Sequence, residues 1–277
     1  MGAKDAFVND YWKERQAAAQ EKLTRKSIKE TEEQLQKYYF NCMEDVIGQF
    51  EKTYNIYLLN VERGLENSPA TLYKLDSYWQ AQVKLQEELR KLGDKQAVLF
   101  GKRFTRQYLQ VYRSVALPSG AGFNDITAET AYQMIMQIWC ADGSSWNSRI
   151  WKNTNMLQQA LNEGLIECVV NGKSSEYLKQ RLMGEFGVSF NRADNIVRTE
   201  LAHIQTQAAR DRYAAAGVKE VQVWADKDER QCKVCGKLHK QKFPVGGKMP
   251  IPAHPRCRCT IIPVIEVQRQ QERLEEF

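Results

Sequence analysis

The sequence predicts a mainly α protein, in which a long N-terminal helical region is followed by a small α+β lobe near the C-terminus. Up to Gly217, apolar side chains recur mostly at helical spacing, and after it short alternating stretches, turns and clustered cysteines take over. With 277 residues, 43% hydrophobic and 27% charged, the chain has the composition of a soluble globular protein of one or two domains. No apolar run is long enough to cross a bilayer and none forms a signal peptide, so we expect no membrane contact.

Residues 1–116 are predicted to be helical. From Ile28 onward apolar residues recur at spacings of three, four and seven, and one long helix or two stacked helices fit the first 58 residues. Ser68 and Pro69 suit the N-cap and first position of a second helical run, which continues to about Val115. Two glycines mark places where this run is expected to break: Gly93 and Gly101.

Residues 117–125, rich in Gly, Pro, Ser and Asn, are predicted to be a linker. Residues 126–190 form a helical connecting region, followed by a last long helix over 192–216 that Gly217 ends. Three hydroxyl residues are predicted N-caps in this part of the chain: Thr127, Ser145 and Ser175.

Residues 191–266 are predicted to form a further domain. Its part after Gly217 is the small lobe, which contains a strand over 220–225 and a closing strand over 260–267. Pro263 favours an edge position for the closing strand, because proline lacks the N–H that an inner strand needs. The remaining residues, 267–277, are a polar tail.

Four of the seven cysteines lie within this lobe, and His254 lies close to the last two of them. They form a C-x2-C pair and the stretch "HPRCRC", and the candidate metal ligands are Cys232, Cys235, His254, Cys257 and Cys259. Zinc takes four such ligands in a tetrahedron, so five candidates compete for four places. Without an export signal, clustered cysteines favour a metal over disulfides, and free thiols are the alternative.

A structural zinc that stabilises the lobe explains these residues better than a catalytic zinc. The metalloprotease signature H-E-x-x-H and the zinc deaminase signature are both absent, and the chain has only three histidines. A closed zinc site would fold a lobe that is too small to have a sufficient core of its own.

The lobe is strongly basic, because residues 227–260 hold nine of the chain's 40 Lys and Arg but only two of its 34 Asp and Glu. These cations either offset the charge of the metal-bound thiolates or contact phosphate or an acidic protein surface. The candidates for contact with DNA or an acidic partner are Lys233, Lys237, Lys240, Lys242, Lys248, Arg256 and Arg258.

Further polar residues lie before the cysteines. Glu200 and His203 are one helical turn apart, and a buried polar anchor explains them better than a catalytic pair. The stretch "DKDER" at 226–230 is explained best as a loop that pairs with its basic neighbours. The candidate anchor residues are Arg198, Glu200, Asp228 and Arg230.

The order of these motifs over residues 192–260 resembles the Mu F-like, or minor head (head morphogenesis), proteins of tailed bacteriophages. The series runs through "RTE" (198–200), Tyr213, Gly217, Trp224, Asp228, Arg230, the C-x2-C pair, Leu238, His239, Phe243 and "HPRCRC" (254–259). The match covers about a quarter of the chain, and Lys240 stands where the pattern leads us to expect glycine.

The resemblance implies a virion protein without catalytic activity, placed inside the capsid at the portal vertex and in the host cytoplasm during assembly. It would aid procapsid assembly and DNA packaging or ejection. The implied partners are the portal protein, capsid or scaffolding proteins and double-stranded DNA, and the family's presumed metal residues fall on the five ligand candidates. A metal-dependent nuclease and a DNA-binding module are the alternatives.

Overall fold

The structure, a computed structural model, describes residues 3–115, 125–225 and 231–264, with side chains from Lys13 onward. Its helices are α1 (Ala3–Glu62), α2 (Pro69–Tyr73), α3 (Asp76–Ser114), α4 (Ala128–Ile135), α5 (Trp146–Val170), α6 (Ser175–Ala215) and α7 (Lys233–Leu238). Its strands are β1 (Glu220–Trp224), β2 (Lys242–Pro244) and β3 (Thr260–Pro263). The mainly α fold with a small α+β lobe is therefore confirmed. Residues 117–124 of the predicted linker and the tail over 267–277 lie outside the described residues.

The chain divides into two compact units, each made of separated segments. The helical unit comprises Ile28–Arg103 and Met136–Arg198, and the lobe-containing unit comprises Met1–Ser27, Phe104–Ile135 and Thr199–Phe277. Helices α1, α3 and α6 each supply residues to both units. Among the described residues, no helix is both long and apolar enough to span a membrane.

The helical unit is held by a buried apolar core and by hydrogen bonds between helices. The Ser189 carbonyl accepts hydrogen bonds from the Tyr39 hydroxyl at 3.2 Å and from the Asn153 amide at 2.8 Å. Helix α3 runs without a break through Gly93, where the sequence suggested an interruption. A Cβ at Gly93 would lie 2.5 Å from the ring of Trp151, so this glycine permits the two helices to approach closely.

Most of the predicted helix ends are present. Ser145 forms a capping box with Ser148, and the Thr127 hydroxyl accepts the Thr130 N–H at 3.1 Å. At Gly217 the backbone has φ +77°, and the Val218 N–H bonds the Tyr213 carbonyl at 3.0 Å, as in a Schellman motif.

Helix α6 differs from its prediction. It is one helix of 41 residues rather than two, and Ser174 caps it in place of Ser175, since the Ser174 hydroxyl accepts the Tyr177 N–H at 3.1 Å. Gly184 and Gly187 do not break it. A glycine inside a helix costs only about 1 kcal/mol, which the buried residues of α6 outweigh.

The sheet of the lobe is antiparallel, in the order β2-β1-β3. Pro263 pairs with Val221 on the edge strand β3, as its lack of an N–H predicts. Trp224 of β1 and Ile262 of β3 pack with Ala17 of α1 in one buried cluster. This sheet fixes the start of β3 directly after the last cysteine of the chain.

Candidate metal centre

The first cysteine pair lies at the start of α7. Cys232 is the N-cap residue, with extended backbone angles (φ −77°, ψ 157°), and its Sγ accepts the Cys235 N–H at 3.3 Å. Hydrogen bonds from the backbone N–H groups of Cys235 and Val234 help lower the pKa of the Cys232 thiol. The start of the helix thus favours a thiolate at position 232, the form that binds metal.

The second half of the cluster is a tight turn over His254–Cys257, closed by the Cys257 N–H on the His254 carbonyl at 3.2 Å. Its third residue, Arg256, has φ 61°, and the Arg256 N–H donates to the Thr199 hydroxyl of α6 at 3.3 Å. Thr199 therefore ties the turn to a helix 57 residues away in sequence. Sequence reasoning missed Thr199, whose only signal was its place between two candidate anchor residues.

The His254 ring is oriented for ligation by its own turn. Its Nδ1 lies 2.8 Å from the Pro255 carbonyl, which can only accept, so Nδ1 carries the proton. The lone pair of Nε2 is then available, and Nε2 lies 3.3 Å from the Cys232 sulfur and 3.2 Å from the Cys235 sulfur. A ligating histidine ordinarily uses one ring nitrogen in this way while the other donates to an acceptor.

The five predicted ligands converge in two overlapping groups. Cys232, Cys235 and His254 form one group, and Cys235, Cys257 and Cys259 form the other, with the ligand atoms of each group within 4.8 Å of one another. The sulfurs of Cys235 and Cys257 are 3.8 Å apart. Tetrahedral zinc with Zn–S bonds of about 2.3 Å places neighbouring sulfurs about 3.8 Å apart. The cluster can therefore hold a metal ion.

Protons are shared unequally among the buried thiols. The pKa of Cys257 is lowered to about 5, because its sulfur accepts hydrogen bonds from the Cys259 thiol and from the backbone N–H groups of Cys259 and Ala253. The pKa of Cys259 is raised, because its thiol donates to Cys257 and is buried. Burial raises the pKa of Cys235 to about 12. Hydrogen bonding within this pair therefore favours the thiolate form at Cys257.

No carboxylate belongs to either group among the described residues, and the donors are four thiols and one imidazole. Such a donor set is typical of closed, structural zinc sites, whereas a catalytic zinc keeps a position open for water. The chemistry that the cluster supports best is therefore structural.

The candidate anchor residues have separate surroundings. In the helical unit, the Arg198 guanidinium pairs with Asp194 at 2.8 Å and with Glu32 at 3.0 Å. Glu200 is buried in the lobe-containing unit. Asp228 and Arg230 lie outside the described residues.

Six of the seven basic candidates are exposed, and the seventh, Arg258, is half-buried. Among the described residues, the two non-glycine residues with positive φ are Lys240 (66°) and Arg256 (61°), both of them cations of this lobe. The left-handed conformation costs a residue with a Cβ about 1 kcal/mol, and glycine adopts it freely. The Lys240 ammonium lies 5.5 Å from the Trp224 ring centroid. Cations therefore occupy two turns where glycine would fit with less strain.

Residues 159–262 match the family model described as "Phage Mu protein F like protein". This segment contains the C-x2-C pair, the "HPRC" turn and Thr199. No match was found among curated proteins or among solved structures. The matched segment and the convergence of its cysteines agree with the resemblance of the motif series. The resemblance to the Mu F-like family is thus confirmed over residues 159–262.

Proposed function

We propose that this protein is a minor head protein, a structural and non-catalytic component of the virion located inside the capsid at the portal vertex. It would aid procapsid assembly and DNA packaging or ejection. The observation that carries the proposal is the convergent Cys/His cluster inside the family-matched segment. A long helical part and a small lobe suit a protein that joins partners rather than one that transforms a substrate.

The proposed metal is one zinc ion, held by Cys232, Cys235, His254 and Cys257. Three observations support this set: the N–H bonds to two of its sulfurs, the unprotonated Nε2 of His254, and the Cys235–Cys257 distance. Cys259 would stay outside the coordination shell and donate its S–H to Cys257. Zinc bound there would join the α7 turn to the "HPRC" turn and fold the lobe.

The partners that we propose are the portal protein and neighbouring capsid or scaffolding proteins, contacted through the exposed cations of the lobe. Three thiolates and a neutral histidine leave zinc with a net charge of about −1, which needs far fewer cations than the lobe carries. The strained turns at Lys240 and Arg256 support a use for their side chains in contact with an acidic surface.

Co-purification from infected cells tests the assignment. A tagged chain is expected to fractionate with procapsids and a portal ring, and a Cys232→Ser chain, whose lobe cannot hold the metal, is expected to be lost from them. A matched Cys42→Ser chain, altered at a buried thiol outside the cluster, controls for the loss of a cysteine. If the wild type and both variants are all recovered only in free form, a role in the head is contradicted.

Binding to double-stranded DNA is the second candidate, favoured by the exposed cations. It predicts binding that weakens steeply as salt is raised, because phosphate contacts release counterions. Salt-independent binding to a portal ring, with none to DNA, would argue against it. A nuclease lacks support from the cluster, and EDTA-sensitive cleavage of duplex DNA would be needed to establish one.

A further inference from the structure

The N-terminal arm, residues 13–27 of α1, lies in the same compact unit as the metal lobe. Its buried residues are three polar side chains and one small apolar side chain: Gln16, Ala17, Gln20 and Thr24. A helix packed on a protein core ordinarily buries a stripe of large apolar residues. The arm is therefore held by hydrogen bonds more than by apolar burial.

The buried polar residues of the arm bond three other elements: α3, α6 and β3. The Gln16 amide donates to the Tyr213 hydroxyl of α6, and the Thr260 hydroxyl of β3 donates to the Gln20 side-chain oxygen. Thr24 donates to Gln205 of α6 and accepts from Gln107 of α3 at 2.8 Å. Ala17 completes the contact by packing with Trp224 and Ile262 of the lobe sheet.

This attachment is weak for its size. A hydrogen bond within a protein replaces one to water, so its net contribution is small. The Gln16 Oε1 atom is buried without a hydrogen-bond partner among the described residues, which opposes docking further. The arm therefore stays docked only while the side chains that it bonds keep their positions.

One of those partners depends on the cysteine cluster. Thr260 directly follows Cys259, lies three residues after Cys257 and begins β3, which also supplies Ile262 to the contact with Ala17. Without a metal, the turn that precedes β3 loses its link to α7. Pairing with Trp224 of β1 still holds the backbone of Thr260, but its link to the cysteine turn is loosened, so the Gln20 bond should weaken.

We propose that the metal centre is a latch for the N-terminal arm, which docks on the lobe when metal is bound and is released when metal is removed. This inference rests on the proposed metal centre. Coupling of this kind is reciprocal, so weakening the arm must also weaken metal retention by the same factor.

Hydrogen exchange on the full chain tests the latch, with zinc bound and after removal of zinc by EDTA under reducing conditions. We expect amide exchange in peptides covering 13–27 to accelerate about tenfold on chelation, the effect of losing roughly one charge-free hydrogen bond. Peptides covering 39–57, buried in the helical unit, serve as the internal reference and should not change.

The Gln20→Ala variant separates the latch from the metal centre. It is expected to bind one zinc per chain but to show fast arm exchange with zinc present and about tenfold weaker zinc affinity in competition with a chelator. Gln36→Ala, an exposed glutamine on the same helix, is the matched control and should behave as wild type. Unchanged arm exchange on chelation, while residues 232–259 lose protection, would overturn the latch and leave the metal centre intact. A folded, reduced chain that binds no zinc would overturn both.

Discussion

Replacing Cys257 by serine tests the proposed ligand set against its nearest alternative. The change removes the sulfur that lies 3.8 Å from the Cys235 sulfur, at the edge length of a zinc–thiolate tetrahedron. Cys259→Ser is the matched variant, because this cysteine is equally buried, two residues away, and donates to Cys257. A serine at position 259 keeps a donor for the Cys257 thiolate.

The two variants should differ by more than tenfold in zinc affinity. A structural zinc contributes about 10–16 kcal/mol in small zinc-dependent folds, which is roughly 2.5–4 kcal/mol for each of four ligands. Loss of Cys257 should therefore weaken zinc binding by about 10²- to 10³-fold. Loss of Cys259, a group that only bonds a ligand, should weaken it by about tenfold.

Cobalt substitution measures the ligand count directly, because each thiolate adds to the sulfur-to-metal charge-transfer absorbance. The wild type and Cys259→Ser should show the same absorbance per bound cobalt, and Cys257→Ser should lose about one third of it, since three thiolates become two. Competition with a chelator gives the affinities. An absorbance loss in Cys259→Ser with none in Cys257→Ser would refute the ligand set.

Three further predictions concern the turns, a helix contact and pH. Lys240→Gly and Arg256→Gly should leave the free energy of unfolding unchanged or raise it by about 1 kcal/mol, because glycine adopts the positive φ of these turns without strain. Both substitutions should weaken binding to the portal ring or DNA. Unchanged binding would exclude a contact role for these side chains. Gly93→Ala should lower the free energy of unfolding in urea by about 1–3 kcal/mol, because its Cβ meets the indole ring of Trp151. Gly184→Ala has open space around its Cβ and should raise it slightly. Equal effects of the two substitutions would contradict the close approach of the helices. Burial lowers the pKa of His203 from 6.5 to about 4, so between pH 6.5 and pH 4 the unfolded chain binds more protons than the folded chain. The free energy of unfolding should therefore fall by about 2 kcal/mol from pH 6.5 to pH 4. A His203→Gln chain with the same pH dependence would show that another group is responsible.

Local patterns were sufficient for most of the helices and for the convergence of the cysteines. Ser145 and Gly217 mark helix ends in both sequence and structure, because capping depends on residues only a few positions apart. The continuity of α6 through Gly184 was not predictable, since it depends on burial against other segments. Strand β2 was also missed, because "KFP" is too short to show alternation.

The candidate site divides in the same way. The spacing of the cysteines and histidine was sufficient to identify the five ligand candidates. The choice of four among them depends on backbone N–H groups and on which thiol donates to which, and the spacing does not show either. Thr199 was hidden for a related reason, since its hydrogen bond joins positions 57 residues apart. Long-range bonds of this kind leave no periodic trace in a single sequence.

The hydrogen bond between Arg256 and Thr199 also explains why "RTE" and "HPRCRC" belong to one motif series although they lie far apart in sequence. The Arg256 N–H would need another acceptor if the Thr199 hydroxyl were absent, and the left-handed backbone at Arg256 is strained unless something holds it. The turn supplies His254 and Cys257, so α6 helps to set the position of two of the four proposed ligands. The lobe is thus braced from outside at both ends of the "HPRCRC" stretch, by Thr199 before the last two cysteines and by the Thr260 contact after them. A lobe with so small a sheet needs such braces, because a metal bound there would link its two turns to each other but not to the helices that carry the lobe.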